Sequence, residues 1–489
     1  MKIVGIVPST ASPYLRFGIF RLGIPILLTK AKQEGHRALM VDENIEKIDL
    51  NWLGEKLREA DLIFFSSLTP TYNRTLWYLN WIKKGLGLST PIAIGGVHPT
   101  FETEKVLDDG FDFVFRREGE LILTPFLRIF EDGGDFSKIP NLCYWQKGEK
   151  VFNQLSVQLP DLDKDSPFPD FLDGNLFPQW NRKRMAVIET SRSCPFRCNF
   201  CSVHPMFGPL RQRKNLEAVV EEIKRLAPGF LFFCDDYFAS CKDTERSKEL
   251  MSLMLRKLDR IPPWGAQVRS DVARDKEWLR LAKRSNCFFL CIGFESINPK
   301  SLKEAKKGQT VEGIENDIAD FKRYGLRDAL HGSFIVGFDA DDKNTAMRTM
   351  EWAKEMDINT IQMGVIAPLP GTEFRENLKR DNRLLPEADN PELCDGMHAL
   401  YTHQNFKSPA ELQESVERAA RAFSSPHDNL YVTIRGLLDW GKDWLMSFRN
   451  REMALKNFRK PYVRWRSWKV YSTIRKQTKG YLRQLKLKN

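Results

Sequence analysis

The sequence predicts an α/β protein with two parallel-sheet units in tandem. An N-terminal doubly wound sheet spans 1–140, a connector spans 141–182, a partial barrel of six strand–helix units spans 183–400, and a helical, basic region spans 401–489. Three observations lead there. Short apolar β-rich runs alternate with helical periodicity through the first 140 residues, as in parallel sheets wrapped by helices. The rhythm stops in a Pro/Asp-rich stretch, Leu159-Pro-Asp-Leu-Asp-Lys-Asp-Ser-Pro, and resumes at Met185. Positive charge collects at the C-terminus: 441–489 carry +13 of a total of +11, so the rest of the chain sums to −2.

In order, Lys2–Val7, Arg37–Asp42, Leu62–Ser66, Pro91–Ile94 and Phe111–Phe115 read as strands. Phe17–Glu34, Trp52–Ala60, Arg74–Leu86 and Thr103–Gly110 read as the helices between them. The second unit has strands at Met185–Glu189, Phe230–Cys234, Gly265–Arg269, Phe288–Glu295, Gly332–Phe338 and Thr360–Ala367, which suggests an open or partial barrel. Beyond residue 400 helices dominate. Ser408–Phe423 is amphipathic, with Pro409 suited to a first helical position. Residues 443–458 also have helical periodicity.

No run of 18 apolar residues exists, so no spanning helix is expected. The N-terminus reads as a strand and not a signal peptide, which points to the cytoplasm. Nine cysteines in such a chain do not suggest disulfides. Three of them, Cys194, Cys198 and Cys201, cluster in Glu189-Thr-Ser-Arg-Ser-Cys-Pro-Phe-Arg-Cys-Asn-Phe-Cys, directly after a predicted strand. Thiolates are the usual ligands of iron–sulfur clusters, and spacings of four and three let one loop wrap three corners of a cube. One iron would then lack a protein ligand and could chelate the amino and carboxylate groups of a methionine. Structural cysteines or part of a zinc site are the alternatives, although no fourth ligand in a usual zinc pattern accompanies them.

Cys-x3-Cys-x2-Cys after the first strand of a six-unit barrel resembles the radical S-adenosylmethionine superfamily, over about 185–385. The resemblance implies a [4Fe–4S] cluster on Cys194, Cys198 and Cys201. It also implies reductive cleavage of S-adenosylmethionine to a 5′-deoxyadenosyl radical, with an electron donor such as flavodoxin or ferredoxin. Phe200 matches the aromatic residue beside the adenine. Asp235, Arg269 and Glu295 lie at strand ends where such enzymes contact methionine and ribose, and an ordinary structural cap is the alternative for each. Ile335, in Gly332-Ser-Phe-Ile-Val-Gly337, matches the segment whose backbone meets adenine.

The N-terminal unit is similar to the cobalamin-binding domain that precedes many of these enzymes. The likeness is carried by Ser67 and Thr69 after the third strand and by Gly95-Gly96-Val-His98 between a strand and a helix. Small residues there let a ligand approach the backbone, and a helix N-terminus favours phosphate. The resemblance implies cobalamin contacts at Ser67, Thr69, Gly95, Gly96 and His98. The Asp-x-His-x-x-Gly loop that supplies a lower histidine ligand elsewhere is absent, and a domain that keeps the fold without the cofactor is the alternative. His36 reads as a loop residue, and Cys287 and Cys291 as strand residues packed in the core.

In the basic tail, Trp465, Trp468 and Tyr471 stand among Arg464, Arg466, Lys469, Arg475 and Lys476. That mixture suits a peripheral helix on anionic lipid, a helix packed on the barrel with a solvated basic face, or, less well, nucleic acid. Together these features suggest cobalamin-dependent C-methylation of an unactivated carbon in a small hydrophobic substrate, lipid or tetrapyrrole. Radical ring closure or dehydrogenation without methyl transfer is a second reading. A nucleic-acid-binding protein with a structural or redox cluster is a third.

Overall fold

A computed structural model describes residues 1–10, 21–45, 47–178, 185–209, 212–358, 360–423 and 478–486. The first sheet holds β1 (Lys2–Val7), β2 (Arg37–Asp42), β3 (Leu62–Ser66), β4 (Ile92–Gly95), β5 (Phe113–Phe115), β6 (Leu142–Gln146) and β7 (Glu149–Phe152). Its order is β2-β1-β3-β4-β5-β6-β7. β1 to β5 are parallel, so connecting helices must cover both faces. β1 and β3 are accordingly buried almost end to end. Helices α1 (Gly23–Gln33), α2 (Leu50–Arg58), α3 (Tyr72–Asn80), α4 (Val97–Phe101), α5 (Thr103–Asp108) and α6 (Glu120–Asp132) supply that cover. The predicted start of the first helix at Phe17 lies outside the described residues.

Two boundaries differ from expectation. The helix expected at Arg74–Leu86 starts at Tyr72 and passes into a π turn at Trp81–Gly85. The first sheet also does not end at 140. β6 pairs antiparallel with β5 and with β7, so the start of the stretch read as connector belongs to the sheet. A hairpin needs no crossover helix, which is why the alternating rhythm stops there. Lys147 and Gly148, both at positive φ, make the tight turn.

The second sheet runs β15-β14-β13-β12-β11-β8, six strands and all parallel. They are β8 (Met185–Ile188), β11 (Phe230–Phe233), β12 (Trp264–Val268), β13 (Cys287–Glu295), β14 (Leu330–Val336) and β15 (Thr360–Val365). A small pair, β9 (Ser191–Arg192) and β10 (Gln212–Arg213), lies between the first two. The order is that of a partial barrel in which, among the described residues, β8 and β15 are edges. Its helices are α7 (Val203–Phe207), α8 (Leu216–Leu226), α9 (Glu245–Lys257), α10 (Lys276–Arg284), α11 (Pro299–Glu304), α12 (Val311–Arg323), α13 (Thr345–Glu355) and α14 (Glu373–Arg380). Short polar side chains start many of them. Asn215, Asp275, Thr310 and Thr372 each accept a hydrogen bond from a first-turn amide of α8, α10, α12 and α14.

Along β13, Leu290, Ile292 and Phe294 are buried against the outer helices, and Phe294 meets Trp352 of α13 edge-to-face. By the two-residue period of a strand, Cys291 and Glu295 point the other way, into the barrel. Cys287 packs against the hydrophobic core, as read from sequence, whereas Cys291 lies on the inward face, its Sγ 3.5 Å from Ser333 Oγ.

The C-terminal helix α15 (Pro409–Phe423) packs on α13 and β15. The helix expected at 443–458 and the aromatic–basic stretch at 464–476 lie outside the described residues. Residues 478–486 are helical and dock on the body. Tyr481 and Leu485 pack on Cys394, Leu400 and Ala410, and Tyr481 Oη donates to the Ala399 carbonyl at 2.8 Å. Among the described residues no helix is long and apolar enough to cross a membrane.

Candidate functional site at the facing carboxyl edges

The loop carrying Cys194, Cys198 and Cys201 leaves the carboxyl end of β8 and ends at α7. Its entry is held by the next strand over. Asp235, which follows β11 and is 1% exposed, accepts from Thr190 N at 2.7 Å, from Thr190 Oγ1 at 2.6 Å and from Ser191 Oγ. Asp236 accepts from Ser193 N at 3.1 Å, and Ser193 itself sits at φ +76°. The far side of the loop is tied at Asn199. Its amide donates to Ala305 O at 3.4 Å, and its carbonyl accepts from Phe374 N at 2.9 Å. Asp235, expected at the methionine or ribose, thus anchors the loop with both carboxylate oxygens.

The three thiols sit within electrostatic reach of one another. Burial pushes each of them up, Cys201 to about 12. Metal binding at such thiols must displace the proton. Among the described residues no three His, Cys, Asp or Glu side chains converge as they would around one metal ion. A cube of four irons spreads its corners more widely than one ion does, so the three thiols are the residues that could hold it. Phe200, beside Cys201, meets Phe338 edge-to-face at 6.1 Å, and Ile335 is half-buried near the end of β14. Phe200 thus reaches the segment that follows β14, the strand that carries Ile335 near its end.

Arg269 and Glu295 converge through a residue that sequence reasoning missed. Lys307 Nζ donates to Glu295 Oε1 at 2.8 Å, and Arg269 donates from both terminal nitrogens to the Lys307 carbonyl at 3.0 Å. The Arg269 guanidinium also stacks 4.0 Å from the Phe196 ring, inside the cysteine loop. Burial disfavours the Lys307 ammonium, but Glu295 and Cys198 outweigh it and hold the group above the usual lysine range. Glu295 sits at φ +64° beside an irregularity in the β13–β14 register. Gly293 makes the pair possible: a Cβ there would lie 2.3 Å from Glu295 Oε1. Nothing local marks Lys307 among Lys303, Lys306 and Lys307.

In the first sheet, Ser67, Thr69 and His98 form one buried polar cluster after β3 and β4. Ser67 Oγ lies 3.2 Å from Thr71 Oγ1, and His98 Nδ1 lies 3.4 Å from Thr69 Oγ1. Tyr72 covers the His98 ring at 4.2 Å. Burial, aided by Lys105 and Arg375, lowers His98 to about 3, so the imidazole is neutral. Its Nε2 is buried and has no hydrogen-bond partner among the described residues, which leaves one polar atom for a bound group to satisfy. Gly96 has a tighter explanation than ligand approach. At φ +106°, a Cβ there would lie 2.7 Å from the Ser67 carbonyl oxygen. Gly96→Ala is expected to destabilise the fold by more than about 1 kcal/mol, read as a lowered thermal midpoint. An unchanged midpoint would show that the close approach is not maintained in solution. His36, near the Met1 amino group and Glu131, lies at the opposite edge of the sheet.

The order β2-β1-β3 reverses direction at β1, and ligands of open α/β sheets bind outside the carboxyl ends at such a switch point. A cleft of about 800 Å³ opens there, lined by Ser9, Thr10, Asn44, Lys47, Asn73 and Trp77 among others. The Glu43–Arg74 ion pair, at 2.6 Å, forms part of its wall. The two carboxyl edges face each other. Arg117, after β5, donates to the Met206 carbonyl of α7 at 3.4 Å, and Phe101 of α4 fills the space beside Gly371, after β15. Asn73 of α3 donates to Asn390 Oδ1 at 2.8 Å.

Residues 188–353 match the model of the radical SAM superfamily, and residues 16–126 match that of the B12 binding domain. The chain is 28% identical to an uncharacterized methyltransferase of Pyrococcus horikoshii, over 79% of this chain and 84% of the relative. It is 25% identical to the hopanoid C-3 methylase of Methylococcus capsulatus, over 78% and 75%. It is 24% identical to the anaerobic magnesium-protoporphyrin IX monomethyl ester cyclase of Cereibacter sphaeroides, over 77% of this chain but only 61% of that protein. Its fold is shared with TsrM of Kitasatospora setae, solved with cobalamin and a [4Fe–4S] cluster (TM-score 0.65, 17% identity, 85% and 84% covered). It is shared also with OxsB, solved with aqua-cobalamin and S-adenosylmethionine (TM-score 0.68, 16% identity, 96% and 71% covered).

Proposed function

The chain belongs to the radical S-adenosylmethionine enzymes that carry a B12 binding domain, with a [4Fe–4S] cluster, S-adenosylmethionine and cobalamin as cofactors, and from that membership we propose that it methylates an unactivated carbon of a hydrophobic substrate. The observation that carries the reading is the cysteine loop at the end of β8, held opposite the carboxyl edge of the first sheet. Cys194, Cys198 and Cys201 hold the cluster. Phe200 and Ile335 flank the adenine, while Glu295, Lys307 and Arg269 present charge to the methionine and ribose. His98, with Thr69 and Ser67 around it, contributes its free Nε2 to cobalamin at the carboxyl edge of the first sheet. Such cofactors supply a 5′-deoxyadenosyl radical and a transferable methyl group. The protein's part is to orient them and to keep water from a reactive carbon centre.

The substrate class is a lipid or a tetrapyrrole. The relatives include a hopanoid methylase and a magnesium-protoporphyrin cyclase, and the aromatic–basic tail suits a peripheral position on anionic lipid on the cytoplasmic face. The electron comes from a small reductant such as flavodoxin or ferredoxin. The test supplies reconstituted protein with S-adenosylmethionine deuterated in its methyl group, then offers hopanoid lipid and magnesium-protoporphyrin monomethyl ester in turn. Label in the product supports methylation. A product that has lost hydrogen and carries no label replaces it with ring closure, the reading that the cyclase relative favours. Neutralising Arg464, Arg466, Lys469, Arg475 and Lys476 to Gln is expected to weaken binding to anionic vesicles by about 1 kcal/mol per charge near the surface. Sedimentation with vesicles that matches wild type would remove the membrane argument.

A further inference from the structure

Arg192 lies two residues before Cys194 and gathers three carboxylates from both parts of the molecule. It donates through Nη1 to Glu118 Oε1 at 2.8 Å, through Nη2 to Glu120 Oε1 at 2.8 Å and through Nε to Glu189 Oε1 at 2.9 Å. The side chains of Arg192, Glu118 and Glu120 are 8%, 5% and 7% exposed, so water screens these charges little. Glu118 and Glu120 follow β5, beside the strand that ends in Gly95, whereas Arg192 and Glu189 belong to the entry of the cysteine loop.

Further groups close the cluster. Gln212 Nε2 donates to Glu118 Oε1 at 2.8 Å from the strand paired with Arg192. Lys214 lies within electrostatic reach of Glu189 and Glu120 and ties in the connector by donating to the Leu162 carbonyl at 2.7 Å. A planar guanidinium with donors in fixed directions holds several carboxylates in one geometry, which a lysine ammonium cannot do. Between Arg192 and Cys194 stands only Ser193, itself held by Asp236 and by a hydrogen bond from its Oγ to the Gly208 carbonyl. The bridge to the first sheet therefore enters the loop two residues before its first cysteine.

We propose that Arg192 is a positioning residue that sets the cysteine loop at one separation from the carboxyl edge of the cobalamin-binding sheet, so that the two cofactors face each other in register. The inference rests on the placement of the cluster at Cys194, Cys198 and Cys201 and of cobalamin in the first sheet.

The experiment reconstitutes the full chain and Arg192→Lys anaerobically with iron, sulfide and hydroxocobalamin. Iron, sulfide and cobalamin are quantified first. Power saturation of the cob(II)alamin EPR signal is then measured with the cluster oxidised and with it reduced. A nearby reduced cluster speeds relaxation of the cobalt signal in a way that falls steeply with distance. Wild type is expected to show that enhancement, and Arg192→Lys to load both cofactors and lose most of it. Wild-type enhancement in the variant overturns the proposal. If Arg192→Lys loads neither cofactor, Glu118→Gln is the second variant: it removes one charge and keeps an acceptor. Reduced enhancement there supports the proposal, and unchanged enhancement overturns it. Wild type that loads both cofactors without enhancement overturns the positioning and leaves the cofactor sites standing. Wild type that takes up the cluster and no cobalamin overturns the reading beneath, and this inference with it.

Discussion

Cys198→Ala is expected to lose the cluster, and with it all formation of 5′-deoxyadenosine. The three cysteines are the thiols of one loop, and two protein ligands cannot hold a cube whose fourth iron is kept for S-adenosylmethionine. The loop itself should survive the change. Asp235 anchors its entry and Phe374 N its far side, and neither contact involves the Cys198 side chain. Circular dichroism should therefore match wild type while iron content and the visible cluster absorption fall to background. Cys394→Ala, buried beneath the C-terminal helix, is the control that keeps both. Cluster absorption near the wild-type level in Cys198→Ala would remove the ligand assignment.

Lys307→Met is expected to cost about 3–5 kcal/mol of stability, because it leaves the Glu295 carboxylate buried without its cation. The urea midpoint reads this directly. Adding Glu295→Gln to Lys307→Met should recover much of the loss, since the uncompensated charge is then gone. The variant keeps all three cysteines, so its iron content can be compared at temperatures where it is folded. There it should hold a cluster but bind S-adenosylmethionine weakly. A midpoint equal to wild type would mean that Glu295 is solvated in solution and that the pair does not shape the site.

Much of this arrangement was legible in the sequence. All eleven strands expected from apolar runs bounded by turn residues are present, because a strand buried on both faces leaves a continuous apolar signature. The hairpin of β6 and β7 was hidden for the opposite reason. Trp145 and Phe152 are exposed, and the run is short and interrupted by Lys147-Gly148. The cysteine loop was legible from spacing alone, since its three cysteines are close together in the chain. What holds it was not. Asp235 invited a role at the substrate, yet its oxygens are engaged 45 residues away at Thr190. Nothing in the sequence sets Lys307 or Arg192 apart from the chain's other cations, and only the three-dimensional meeting with distant carboxylates distinguishes them. Gly96 was read as a place for a ligand to approach the backbone, and the structure shows in addition that a side chain there would crowd the chain's own Ser67 backbone.

The measurement that tests the central claim most directly uses anaerobically reconstituted protein with cobalamin, a strong reductant and S-adenosylmethionine. Bound cobalamin and released 5′-deoxyadenosine are assayed in the same sample, with and without the candidate lipid and tetrapyrrole substrates. The account predicts one cobalamin per chain and deoxyadenosine that accumulates with time and vanishes in Cys198→Ala. Protein with an intact cluster that produces no deoxyadenosine under any of these conditions would contradict it.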